Sequence, residues 1–103
     1  MHMIPLSGFI DNIREPGGKK LVDGFAFQVP GFEFLKTWAT PAQDYFLDVW
    51  IVSHWESGLS IGSQNGVSGL TPHEAAERAV TFLQEKGAER VKARLAEKGF
   101  VQQ

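Results

Sequence analysis

Residues 50–76 read WIVSHWESGLSIGSQNGVSGLTPHEAA, and the way this stretch divides decides the fold. Its first part alternates in the two-residue period of a strand. The strand is expected over Tyr45–Trp55, with Tyr45, Leu47, Val49, Ile51 and Trp55 on one face. Phe46, Trp50 and Val52 lie on the other, together with Asp48 and His54. Apolar residues on both faces mark it as a central strand with cover on each side. Ser57-Gly58 can close a two-residue hairpin into Leu59–Ser63, which would place His54 opposite Ile61. Asn65-Gly66 is a second turn signal, because both residues tolerate positive φ. Thr71-Pro72-His73-Glu74 then has the chemistry of a helix start: Thr71 as N-cap, Pro72 at the first helical position and Glu74 to complete a capping box.

Downstream, Ala75, Ala76, Ala79, Val80 and Leu83 form one apolar stripe, broadened by Phe82, and its alanines suit close packing on a sheet. Gly87 ends or kinks the helix. Helical spacing resumes over Ala88–Lys98, so residues 72–98 are either two helices or one bent one. Upstream, strands are expected over Gly8–Arg14, Lys19–Val29 and Phe32–Trp38. Glu15-Pro16-Gly17-Gly18 is the turn between the first two, Gly24 a candidate bulge and Ala39–Gln43 a loop containing Pro41. The expected architecture is α+β: an antiparallel meander of four to five strands, then one or two C-terminal helices packed on one face.

The length of 103 residues suits one domain, and 43% hydrophobic residues can fill a core. Met1-His2-Met3 reads as an appended start before a native Met3, so His2 is set aside. There are no cysteines, which excludes disulfides, thiolate zinc sites and cysteine nucleophiles. No apolar run reaches the length of a membrane span and no charged-then-apolar leader is visible, so a cytoplasmic protein is expected. A formal charge of −2 is neither the basic excess of a typical nucleic-acid binder nor the acidity of a DNA mimic.

Chemistry is sparse. His54 and Ser57 are close in sequence, but nothing resembling a nucleophile elbow surrounds the serine, and they read as a strand histidine and a turn serine. Asp48 and His54 share a parity yet stand about 20 Å apart along a strand, too far to hold one ion. No cofactor or metal is expected, and the chain reads as a non-enzyme. Two partner-binding candidates remain. One is cationic: Lys86, Arg90, Arg94 and Lys98 recur every fourth residue and would form a stripe on a continuous helix, with Glu85, Glu89 and Glu97 beside it. The other is aromatic: Trp50 and His54 on one sheet face and Trp55 on the opposite one, with the helix-free face open to a protein partner.

The pattern W-x-V-S-H-x-x-S-G, here Trp50, Val52, Ser53, His54, Ser57 and Gly58, is followed by T-x-x-E-A-x-x-x-A at Thr71, Glu74, Ala75 and Ala79. Together they resemble small proteins of phages and mobile elements. The second half is similar to the strand–helix unit of HicB-type antitoxins and of double-stranded-RNA-binding domains. In size and class the chain also looks like the anti-CRISPR inhibitors of phages. That resemblance implies a protein acting in the bacterial cytoplasm by occupying a surface of a CRISPR-Cas subunit or another defence complex. The antitoxin and RNA-binding resemblance implies a nucleic-acid-associated module, which is the alternative. A small enzyme using His54 ranks last.

Overall fold

The computed structural model describes residues 2–11, 16–42, 49–56, 60–62 and 67–97. Five strands form one antiparallel sheet in chain order: β1 (Met3–Asp11), β2 (Lys19–Phe27), β3 (Thr37–Pro41), β4 (Trp50–His54) and β5 (Ser68–Gly69). Two helices follow, α1 (Pro72–Lys86) and α2 (Ala88–Glu97). The domain is therefore α+β, a meander with its helices on one face. Neither helix is long and apolar enough to cross a membrane.

β1 and β2 pair without interruption over nine residues each, from Met3 opposite Phe27 to Asp11 opposite Lys19. The strand thus begins well before the expected Gly8. Pro5 does not prevent this, because proline is tolerated on an edge strand, where its missing N–H breaks no ladder bond. Nor is Gly24 a bulge. It stays in register opposite Leu6, and what its bare Cα provides is room for the Trp38 indole. The expected turn forms as a single 3₁₀ turn over Pro16–Gly18, with φ of 82° at Gly17 and 74° at Gly18.

The expected strand Phe32–Trp38 is replaced by two turns. The Phe32 N–H donates to the Val29 carbonyl (2.9 Å) and the Leu35 N–H to the Phe32 carbonyl (3.0 Å), with Gly31 at φ 84°. These turns bury Phe32 and Leu35, three residues apart, on the same side of the chain. The strand starts later and takes in residues expected to be loop. β3 is the middle strand of the five, and the Trp50 strand lies inside the sheet between β3 and β5, as expected. Pro41 closes β3 opposite Trp50. Beyond β4, Ser53 faces Ser60 and the Ile61 N–H donates to the Val52 carbonyl (2.7 Å), so His54 is not opposite Ile61. The expected turns at Ser57-Gly58 and Asn65-Gly66 lie outside the described residues.

Thr71 caps α1, its hydroxyl accepting from the Glu74 N–H at 3.1 Å, with Pro72 next in line. The Glu74 carboxylate pairs with Arg78 (2.7 Å), whose guanidinium also donates to the Ser68 carbonyl on β5 (2.6 Å). Gly87 adopts φ 87° and ψ 146°, a conformation essentially reserved for glycine, and this makes two helices of the C-terminal segment. Ala75, Ala76, Ala79 and Leu83 of α1 and Leu95 of α2 pack with Phe27, Val29, Phe32, Leu35, Ala39, Val52 and Val67 into the main core. The small α1 side chains let the helix lie close to the sheet. A Cβ on Gly69 would stand 2.6 Å from the Ala75 nitrogen.

Candidate interaction surfaces

Strand parity sorts the side chains between two faces. Phe25, Phe27, Ala39, Trp50, Val52 and His54 share the helix-covered face, whereas Leu6, Val22, Trp38 and Trp55 share the other. The expected opposition of Trp50 and Trp55 is observed. Trp50 is half-buried against the main core, with its ring 5.9 Å from that of Phe25.

The helix-free face carries its own small core. Trp38 is the largest fully buried side chain among the described residues. Its indole N–H donates to the Leu6 carbonyl at 3.0 Å, reaching across β2 to β1. Gly24 leaves the space beneath the indole: a Cβ there would stand 2.2 Å from the Trp38 Nε1. Trp55 meets Trp38 edge to face at 4.8 Å and covers Gly8, where a Cβ would come within 2.5 Å of its ring. Trp55 itself stays half-exposed, and it forms the outer layer of this face.

On the same face Thr40 is fully buried, and its hydroxyl has no hydrogen-bond partner among the described residues. A buried hydroxyl without a partner costs more than a methyl in its place. Thr40→Val is therefore expected to raise stability by about 1 kcal/mol. Thermal unfolding should show a midpoint about 4 °C or more higher; an unchanged or lower midpoint would mean the hydroxyl is satisfied.

His54 is buried, opposite Thr37, and presents no surface to a partner in this conformation. Burial lowers its pKa from 6.5, partly opposed by the nearby Glu56 carboxylate. The sign follows from linkage. The unfolded chain binds a proton at this position before the folded one does, so stability is full above pH 6.5 and falls as pH drops below it. Stability is therefore expected to fall as the pH is lowered from 6.5 toward 5. His54→Gln should flatten that part of a stability–pH curve measured by urea unfolding.

The cationic stripe is divided. Lys86 ends α1 and sits 5.5 Å above the Phe82 ring. Gly87 then changes the chain direction, so Arg90 and Arg94 belong to a different helix. Arg94 pairs with Glu97 at 3.3 Å, while Arg90 is exposed with no ion pair among the described residues. Lys98 lies outside the described residues.

Among the described residues the most exposed large apolar side chains are elsewhere: Ile4, Phe9, Leu21 and Leu70, at 55%, 65%, 60% and 74%. Three of the four belong to the β1–β2 hairpin. Phe9 and Leu21 face each other across it on the helix side, at the end remote from the Met3–Phe27 pair. Both strands are longer than β3 and β4, so the hairpin projects past the helical cover. The sequence reading missed this pair, because an alternating strand looks the same whether or not a helix reaches it. Among the described residues no three His, Asp or Glu side chains converge on a point that could hold an ion. No known protein family, no curated protein and no solved structure matches this chain.

Proposed function

We propose that this chain is a non-enzymatic protein-interaction domain, most concretely a phage or mobile-element inhibitor that occupies a surface of a bacterial defence complex such as CRISPR-Cas. The observation that supports the interaction reading is the uncovered Phe9–Leu21 pair at the projecting end of the hairpin. Paired aromatic and aliphatic side chains on a rigid ladder are suited to fill a pocket on a partner with little loss of conformational entropy. The choice of a defence complex rests on the resemblance in size and class to phage inhibitors. The nucleic-acid alternative would draw on Arg90 and Arg94, a short cationic surface partly neutralised by Glu97.

The test is phage plating on bacteria with an active CRISPR-Cas system. Expression of the protein is expected to restore plaques. Phe9→Lys with Leu21→Lys should weaken binding to the targeted complex by about 10- to 100-fold while the circular dichroism spectrum is kept. If plaques never recover across hosts with different CRISPR-Cas types, the inhibitor reading fails. Salt-dependent retardation of duplex DNA or RNA, lost in Arg90→Glu/Arg94→Glu, would favour the alternative.

A further inference from the structure

We infer that β1 is a homodimerisation edge, on which a second copy of this chain adds its own β1 antiparallel about a two-fold axis at Ser7. Among the described residues β1 has one neighbour, β2, and its other edge is open over nine residues. The direction of its backbone groups can be followed across the sheet. The Trp55 N–H donates to the Lys36 carbonyl (2.8 Å) and the Ala42 N–H to the Val49 carbonyl (2.9 Å), so even-numbered residues along β3 bond toward β4 and odd-numbered ones toward β2. Alternation of the antiparallel ladder then turns Phe25 and Phe27 toward β3 and Leu6 and Gly8 toward β2. The outward groups are those of Met3, Pro5, Ser7, Phe9 and Asp11. Pro5, which has no proton to donate, falls in the outward set, as an edge proline should.

An exposed edge is usually blunted by lysine, proline or a bulge. β1, MIPLSGFID, has no basic side chain and no break in register, and its one such device, Pro5, removes a single outward N–H. Ser7 is the midpoint of the strand, so the axis at Ser7 is the register that pairs all nine residues of both copies. Ser7 then exchanges both backbone bonds with Ser7 of the second copy. Phe9 lies across from Pro5, and its N–H meets the one backbone group Pro5 offers, a carbonyl. On the helix-free face Leu6 comes opposite Gly8, the position that Trp55 covers, so the second copy's leucine would pack against the half-exposed indole. Ile4, 55% exposed in the single chain, comes opposite Ile10. Of the pairs this register makes, Leu6 with Gly8 and Phe9 with Pro5 set apolar groups against each other or against open space, while Met3 meets Asp11 at the strand ends. This inference does not depend on what the Phe9–Leu21 pair binds, and it leaves Leu21, one strand inward, uncovered.

Sedimentation equilibrium tests it directly. The wild type is expected to dimerise with a dissociation constant on the order of 10–100 µM, as suits a contact below the standard interface size. Ser7→Pro removes an outward N–H that the single chain does not use in its ladder, and it should sediment as a monomer with an unchanged circular dichroism spectrum. Leu70→Lys, an exposed site away from the edge, should remain dimeric. Because the chain has no cysteine, Ser7→Cys supplies a single thiol, which should be cross-linked by a short bis-maleimide since paired Cα atoms stand about 5.5 Å apart. Leu70→Cys should not be linked at the same concentration. A wild type that stays monomeric up to about 1 mM overturns the inference. So does a folded Ser7→Pro variant that still dimerises, or equal cross-linking of both cysteine variants. If Ser7→Pro does not fold, the wild-type and cross-linking results decide.

Discussion

Trp38→Ala is expected to cost about 3–5 kcal/mol, the largest loss from any single side-chain truncation in this domain. The indole is 1% exposed, is the largest side chain of the small core it forms with Leu6, Val22 and Trp55, and ties β3 to β1 through its bond to Leu6. Its removal also takes the edge-to-face support from Trp55. A domain of this size has about 5–10 kcal/mol of net stability, so this loss removes roughly a third of it or more. Urea unfolding followed by circular dichroism gives the number. A loss below about 1.5 kcal/mol would mean that the helix-free face contributes little to the fold.

The second expectation concerns the glycine beneath that ring. Gly24→Ala places a Cβ 2.2 Å from the Trp38 Nε1 and 2.5 Å from the Ala39 carbonyl oxygen. Neither neighbour has room to move: one belongs to a buried ring and the other to the backbone of the central strand. The expected cost is about 2–4 kcal/mol, at the upper end for overpacking because the ladder itself must shift. Two neighbours make the effect separable. In a Trp38→Phe background the Nε1 contact is gone and the carbonyl contact remains, so Gly24→Ala should cost about 1 kcal/mol less there. Costs that simply add would place the strain on the carbonyl alone.

The parts of the fold legible in the sequence were those where local chemistry and tertiary context agree. The 19–27 strand alternates and is bounded by turn residues. The Thr71 cap, the alanine stripe and Gly87 each have a single inexpensive conformation. Residues 32–38 were misread because Phe32, Phe34 and Trp38 share a parity, while Phe32 and Leu35 are also spaced for a turn, and only the finished core decides between the two. Pro41 was read as a loop residue because its place in the ladder depends on which way its nitrogen points, and that is set by a strand 9 residues away in sequence. Of the candidate site, parity placed Trp50 and Trp55 on opposite faces. It gave no indication that Trp55 would stack on Trp38, since that contact needs the β3–β4 register. The burial of His54 follows from its place opposite Thr37, in that same register.

The guanidinium of Arg78 fastened to the Ser68 carbonyl has a consequence at a larger scale. β5 is two residues long, and a side chain of α1 already holds one of its carbonyls. Among the described residues the two borders of the sheet are therefore unequal: one is nine residues long and open, the other two residues long with one carbonyl already bonded. A strand added to this sheet has one border to add to, and a second copy joined there uses up the same border in both molecules. Assembly by this route stops at a closed pair with occupied β5 borders outermost, whereas a protein with two open borders could go on adding copies into a fibre.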